Sequence, residues 1–403
     1  MAITLISKPS GLNLAYRPIV YKWSSNAFNL KYCVAEVIIS SVRVSAISVE
    51  LDSGSSSNFT LDVSEVCQAN LSFDLQAINS SGVISPVNSQ KTIQVKVYEV
   101  TENPSTGVLV TDYDPSDANN SSYQYLYTPA LIVNWIVSHF DYATFNQPDY
   151  TLTSSTKKFL TDSPIRKSIE LDTDEFIGIL QHAGDAGKNF KLEILTYNSS
   201  DALLNTDNIN ITEWDSAYAP TIPNNTYLTL AVGTKNLINS GVSLTNVAYY
   251  TIKVINDDGD MSETKRYDIV NSCTQDVRIH WVNNYGKQDS YTFKGNVQEE
   301  LKHKATTYNQ PLGLTYSSEA RGVSVLQNTS NTSFNAYSKS MGRDEYHWLS
   351  SILTNKMAFV EINNNYFPII IDDGAILKTD EKDMPIQFVL NYSFANATKG
   401  IRG

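Results

Sequence analysis

Apolar and polar residues alternate with period two over much of this chain, and clusters of turn-forming residues interrupt the alternation. That pattern predicts half-buried β-strands. In the first part of the chain it marks strands at 19–23, 32–40, 42–50, 59–63, 71–78 and 92–100, with turns at Asp52-Ser53-Gly54-Ser55 and Asn79-Ser80-Ser81-Gly82. Short strands with a turn signal about every 8–12 residues predict a β-sandwich of immunoglobulin or fibronectin type III character over residues 1–102. In its last strand Ile93, Val95 and Val97 alternate with Gln94 and Lys96, so one face is expected to meet water.

Glu102-Asn103-Pro104-Ser105-Thr106-Gly107 reads as a linker, and the polar run 112–122 as an exposed loop. Beyond it, strands are predicted at 125–135, 191–197, 227–232 and 248–255. One stretch breaks the β pattern. Over 173–183, Phe176, Ile179, Leu180 and Ala183 recur at helical spacing, Thr173 or Asp172 can cap the start, and Gly184 can end it. These signals predict a helix inside a second sandwich-like domain, 103–272. The run Tyr250-Thr251-Ile252-Lys253-Val254-Ile255 resembles the closing strand of the first domain, which supports a second sandwich.

The last segment, 273–403, opens with a β-hairpin. Ile279 and Trp281 alternate on one strand, Asn284-Tyr285-Gly286 makes the turn, and Tyr291 and Phe293 return. Trp281, Asn283, Gly286, Asp289, Tyr291 and Phe293 are its structural residues. Trp281 is expected in the core, Gly286 at a positive-φ turn position, and Lys287 in solvent at the tip. A helix is predicted at 343–353, where Trp348, Leu349, Ile352 and Leu353 form a stripe, followed by strands at 357–362, 366–371 and 386–395. The whole reads as mainly β, with two sandwiches and a C-terminal β-rich domain backed by a short helix.

Composition narrows the chemistry. The 403 residues are too many for one core, and only 18% are charged. A net charge of −12 argues against wrapping nucleic acid, whose affinity comes from basic side chains. No apolar run spans a bilayer and no secretory leader opens the chain, so synthesis in the cytoplasm is expected. Cys33, Cys67 and Cys273 fit no metal or redox spacing and are expected as reduced thiols. His139, His182, His280, His303 and His347 are scattered, and Asp257-Asp258-Gly259-Asp260 lacks the further ligands of a calcium loop. It reads as a solvated hairpin tip, and Asp372-Asp373-Gly374 as another turn. No nucleophile elbow, phosphate loop or paired catalytic carboxylate emerges, so neither enzyme activity nor any cofactor or metal is expected.

Three groups of segments carry a family resemblance. They are Pro9-Ser10-Gly11-Leu12-Asn13-Leu14-Ala15-Tyr16-Arg17-Pro18-Ile19-Val20-Tyr21 with Phe59-Thr60-Leu61-Asp62-Val63-Ser64, then Phe159-Leu160-Thr161-Asp162-Ser163-Pro164 followed by the capped helix predicted at 173–183, and the Trp281 hairpin with the 346–353 helix and Asn365-Tyr366-Phe367-Pro368-Ile369-Ile370-Ile371-Asp372-Asp373. Together they resemble tail and baseplate structural proteins of bacteriophages infecting Bacteroidetes-type hosts, including crAss-like phages. The last unit is also similar to the tube-joining domains of distal tail and hub proteins. The resemblance implies a non-enzymatic virion protein that forms an oligomeric ring in the tail, baseplate or neck. Its partners would be copies of itself and other virion proteins, with residues 273–403 as the assembly domain. The alternative is a carbohydrate-binding phage adhesin that contacts a host glycan through exposed aromatic residues.

Overall fold

The computed structural model describes residues 3–9, 12–55, 57–111, 124–126, 130–133, 147–153, 155–182, 189–211, 225–270, 276–294, 297–311, 315, 322–355, 357–376 and 387–395. The chain is mainly β, and its segments gather into two compact units. The first holds Met1–Thr161, Asp174–Tyr267 and Asn284–Lys287, and the second holds Asp162–Thr173, Asp268–Asn283 and Gln288–Gly403.

The first unit begins with a sandwich. One sheet is Ile3–Ser7, Val20–Ser25 and Asn58–Asp62; the other centres on Leu30–Ile39 between Val42–Val49 and Gln90–Glu102. Period-two alternation sends Tyr21, Trp23 and Phe59 from one sheet against Cys33, Ala35, Val37, Ile93, Val95 and Val97 from the other. Trp23 and Phe59 are cross-strand partners and stack at 5.7 Å. Cys33 and Cys67 are both free thiols in this core, and burial pushes each up to about 12.

Beyond position 102 the same sheet continues. Gln90–Glu102 also pairs with Leu109–Thr111, Gln124–Leu126 and Ala130–Val133. The stretch expected as a linker is therefore a turn between two hydrogen-bonded strands, closed by Asn103 N to Val108 O at 2.8 Å. A further sheet of the unit orders Thr151–Leu152, Phe176–His182, Asn225–Ala231 and Val83–Ile84, and another pairs Leu203–Asn210, Lys191–Tyr197 and Tyr249–Asn256. Asp257 and Asp258 form the exposed two-residue hairpin tip that the sequence suggests, between the paired Asn256 and Gly259.

The second unit is built around an antiparallel sheet with a helix on it, and it also holds the strand Arg166–Glu170 of another sheet. The order of the main sheet is Gln288–Phe293, Val277–Val282, Ala358–Ile362, Asn365–Ile376, Phe388–Phe394, Val323–Tyr337 and Gln298–Asn309. The helix Arg343–Thr354 buries Tyr346, Trp348, Leu349 and Ile352 against Ile279, Trp281, Tyr291, Phe293, Val360, Phe388 and Leu390. Asp344 and Glu345 lie in its first turn, where the helix dipole favours them.

Three further expectations are corrected. The described residues of the predicted helix 173–183 form none; Phe176–His182 is a strand, antiparallel to Asn225–Ala231 and parallel to Thr151–Leu152. Phe176 through Gln181 are all buried, and a run covered on both faces has no period with which to declare itself. Gly178 and the β-branched Ile177 and Ile179 suit the strand better. Residues 71–78 form no strand, because backbone N–H groups of Val87, Asn88 and Ser89 bond the Asp74 carboxylate at 3.1, 2.8 and 3.1 Å instead of a neighbouring ladder. Asp372-Asp373-Gly374 lies inside the strand Asn365–Ile376, at a register shift, and is no turn. Cys273, His139 and the 112–122 run fall outside the described residues.

Candidate functional site

The hairpin strands Val277–Val282 and Gln288–Phe293 pair Trp281 with Asp289, Ile279 with Tyr291 and Val277 with Phe293. This register puts Trp281, Tyr291 and Phe293 on the face that meets the helix, and all three are buried. Trp281 lies 5.2 Å from the Trp348 ring and donates its indole N–H to Ser351 Oγ at 3.1 Å. Asp289 sits opposite Trp281 and accepts from Trp348 Nε1 at 2.7 Å and Asn283 Nδ2 at 3.0 Å. The carboxylate thus meets two donors that would otherwise be buried beside the ring cluster. Of the sequence-predicted hairpin residues, Trp281, Asn283, Asp289, Tyr291 and Phe293 come together here, and Gly286 stands at the tip.

The opposite face is buried as well. His280 places Nε2 at 2.9 Å from Glu361 Oε2, packs edge-on against Tyr366 at 4.9 Å, and has Gln288 Nε2 at 3.0 Å from its Nδ1. Arg278 donates to Ser290 Oγ and Thr292 Oγ1 at 2.7 and 2.9 Å. Lys167 donates to the Ser290 carbonyl at 2.6 Å and lies over the Trp348 ring at 4.7 Å. The stem is therefore a polar-and-aromatic core strand pair, without the solvated face expected of a simple ribbon.

The tip, Asn284–Lys287, belongs to the first unit. Gly286 has φ +67°, as its turn role requires. Tyr285 receives a hydrogen bond at its carbonyl from the Tyr227 hydroxyl, and its own hydroxyl lies 2.7 Å from that of Tyr150. Lys287 corrects the sequence expectation: it is buried, 4% exposed. Its Nζ donates to Thr229 Oγ1 at 3.0 Å and Tyr227 O at 3.2 Å and stands 3.5 Å above the Tyr227 ring. Desolvation lowers Lys287 to about 7, against an opposing pull from Asp74. Burial would raise Asp74, but the Ser89 hydroxyl and three backbone N–H groups more than offset it and hold the carboxyl below its ordinary range. Gly178 makes room for Lys287, since a Cβ there would stand 2.5 Å from Lys287 Cγ.

A second feature of the C-terminal unit carries no amphipathic signal in the sequence. Gln298–Asn309 and Val323–Tyr337 form a long antiparallel ribbon. Among the described residues, only Ser333–Tyr337 of its second strand pairs onward, with Phe388–Phe394. Of the described residues, 323–332 pair with the first strand alone, which makes an arm on the order of 30 Å long at ~3.4 Å per residue. Leu301, Val323, Val325 and Leu326 are 65, 54, 50 and 66% exposed on it. The register places Thr307 opposite Val325 and Asn309 opposite Val323. Polar residues occupy both faces along most of the ribbon, so its sequence carries no period-two contrast.

No group of three or more His, Cys, Asp or Glu side chains arranged to hold a metal occurs among the described residues. No helix among them is long and apolar enough to cross a membrane. No protein-family model matches the chain, and no curated protein does. Among solved structures it is similar to the sialic-acid-binding region of a Streptococcus sanguinis SK1 adhesin, at 10% identity over 68% of this chain and 78% of that one. The TM-score is 0.14, too low for the likeness to carry an argument about fold or ligand.

Proposed function

We propose that this chain is a non-enzymatic structural subunit of a bacteriophage virion, which self-associates through residues 273–403 into a ring of the tail, baseplate or neck. The arm carries the reading. A two-stranded ribbon is marginal in water on its own and gains stability when a further strand or face covers it. Leu301, Val323, Val325 and Leu326 offer apolar surface for that cover, and an assembly supplies it from another subunit. The resemblance of the Trp281 hairpin, the 346–353 helix and the 365–373 strand to tail and hub proteins points the same way. Partners are copies of this chain and neighbouring virion proteins, and no sequence-specific nucleic-acid contact is part of the proposal.

Light scattering and negative-stain microscopy of the purified full chain test it. Closed oligomers are expected. A variant that joins Glu300 to Ser333 through a tight Asn-Gly turn removes the arm at a paired position and should be monomeric with an unchanged melt. A full chain that stays monomeric at assembly concentrations while binding a host-type glycan would replace this reading with the adhesin.

A further inference from the structure

We propose that the outer edge of Gln298–Asn309 pairs antiparallel with the same edge of a second copy, about a two-fold axis at Leu301. The inference rests on the self-assembly reading and names one contact within it. Among the described residues this strand is the last of its sheet, the position from which a sheet extends into another chain. Charges on an edge ordinarily deter such pairing. Here their order does the reverse.

The strand begins Gln298-Glu299-Glu300-Leu301-Lys302-His303-Lys304, with acids before the leucine and bases after it. Successive residues of a strand point to opposite faces, so a two-fold axis normal to the sheet must set one residue opposite its own copy. With Leu301 on the axis, Glu300 meets position 302, a lysine, Glu299 meets position 303, a histidine, and Gln298 meets Lys304, each twice over. Centring on Glu300 or on Lys302 would instead set like charges against each other, which destabilises a cross-strand pair. Leu301, 65% exposed, then packs on its own copy. The register is regular through Thr306, and the shift at Thr306/Thr307 falls outside the overlap. A self-complementary contact of this kind closes after two copies, so it couples subunits in pairs while the rest of the arm builds any ring.

The test uses the full chain. Opposed residues of an antiparallel pair have Cα atoms ~4.5–5.5 Å apart, within disulfide reach. Under mild oxidation Leu301→Cys should cross-link to a dimer, and the unsubstituted chain should not. Glu300→Lys should raise the concentration for half-association by at least about tenfold, and adding Lys302→Glu should restore it, because the pair is then only exchanged. Melts equal to that of the unsubstituted chain confirm folding. If oligomers form but Leu301→Cys gives no cross-link and the double variant gives no rescue, this contact is wrong and the assembly reading stands. If the unsubstituted chain does not associate at all, both fall.

Discussion

Lys287 gives the sharpest quantitative prediction. Its side chain is buried at the hairpin tip, and its pKa falls from 10.5 to about 7. Because the folded form holds its proton less tightly than the unfolded chain, unfolding takes up a proton between about pH 7 and pH 10.5. Stability should therefore rise with pH through that window. Below about 7 the full cost of a buried charge stands, and above 10.5 it has gone. At about 1.36 kcal/mol per unit, the whole span corresponds to about 5 kcal/mol. Lys287→Met keeps methylene bulk over Gly178 and removes the titration. The assay is urea unfolding of both proteins, with stability read as native minus Lys287→Met at each pH between 7 and 9.5, which cancels the titrations they share. The difference should climb by about 1 kcal/mol or more per pH unit over the middle of that range. Parallel curves would refute the reasoning and show that the ammonium is solvated or strongly paired in the native state. Lys287→Ala, harmless if the tip were in solvent, should instead cost about 2–4 kcal/mol, because it empties a packed site.

Trp281→Ala should lose on the order of 3–5 kcal/mol in a thermal or urea melt, through lost burial and a cavity beside Trp348. A stable variant that no longer associates would place Trp281 at an interface instead. Gly178→Ala should destabilise by about 1–3 kcal/mol, since its Cβ would overlap Lys287 Cγ and Leu160 Cβ; a neutral melt would show that the lysine stem moves aside. Gly286→Val should cost about 1–3 kcal/mol, read by the same melt, for forcing a β-branched residue to φ +67°. Added EDTA should leave the melting temperature unchanged, and a fall of several degrees would reveal a metal held by the native state.

The sequence by itself determined the elements that have one wet face and one dry. Lys191–Tyr197 falls at its expected boundaries, and the helix Arg343–Thr354 within a residue of them, because alternation or a 3.6-residue stripe records which side meets the core. It also determined the hairpin turn, where Gly286 carries the backbone requirement locally. Elements without that contrast were left to the tertiary structure. The run 176–181 is buried on both faces and mimics a helix, while the ribbon of Gln298–Asn309 and Val323–Tyr337 is polar along most of both faces and mimics a loop. The burial of Lys287 is likewise absent from its own neighbourhood in the sequence. It depends on Tyr227, Thr229 and Gly178, roughly 60 to 110 positions away, and on the absence of one Cβ that lets the lysine stem pass. Local pattern reports a residue's preference for water, whereas the partners that satisfy or override it exist only once distant strands have paired.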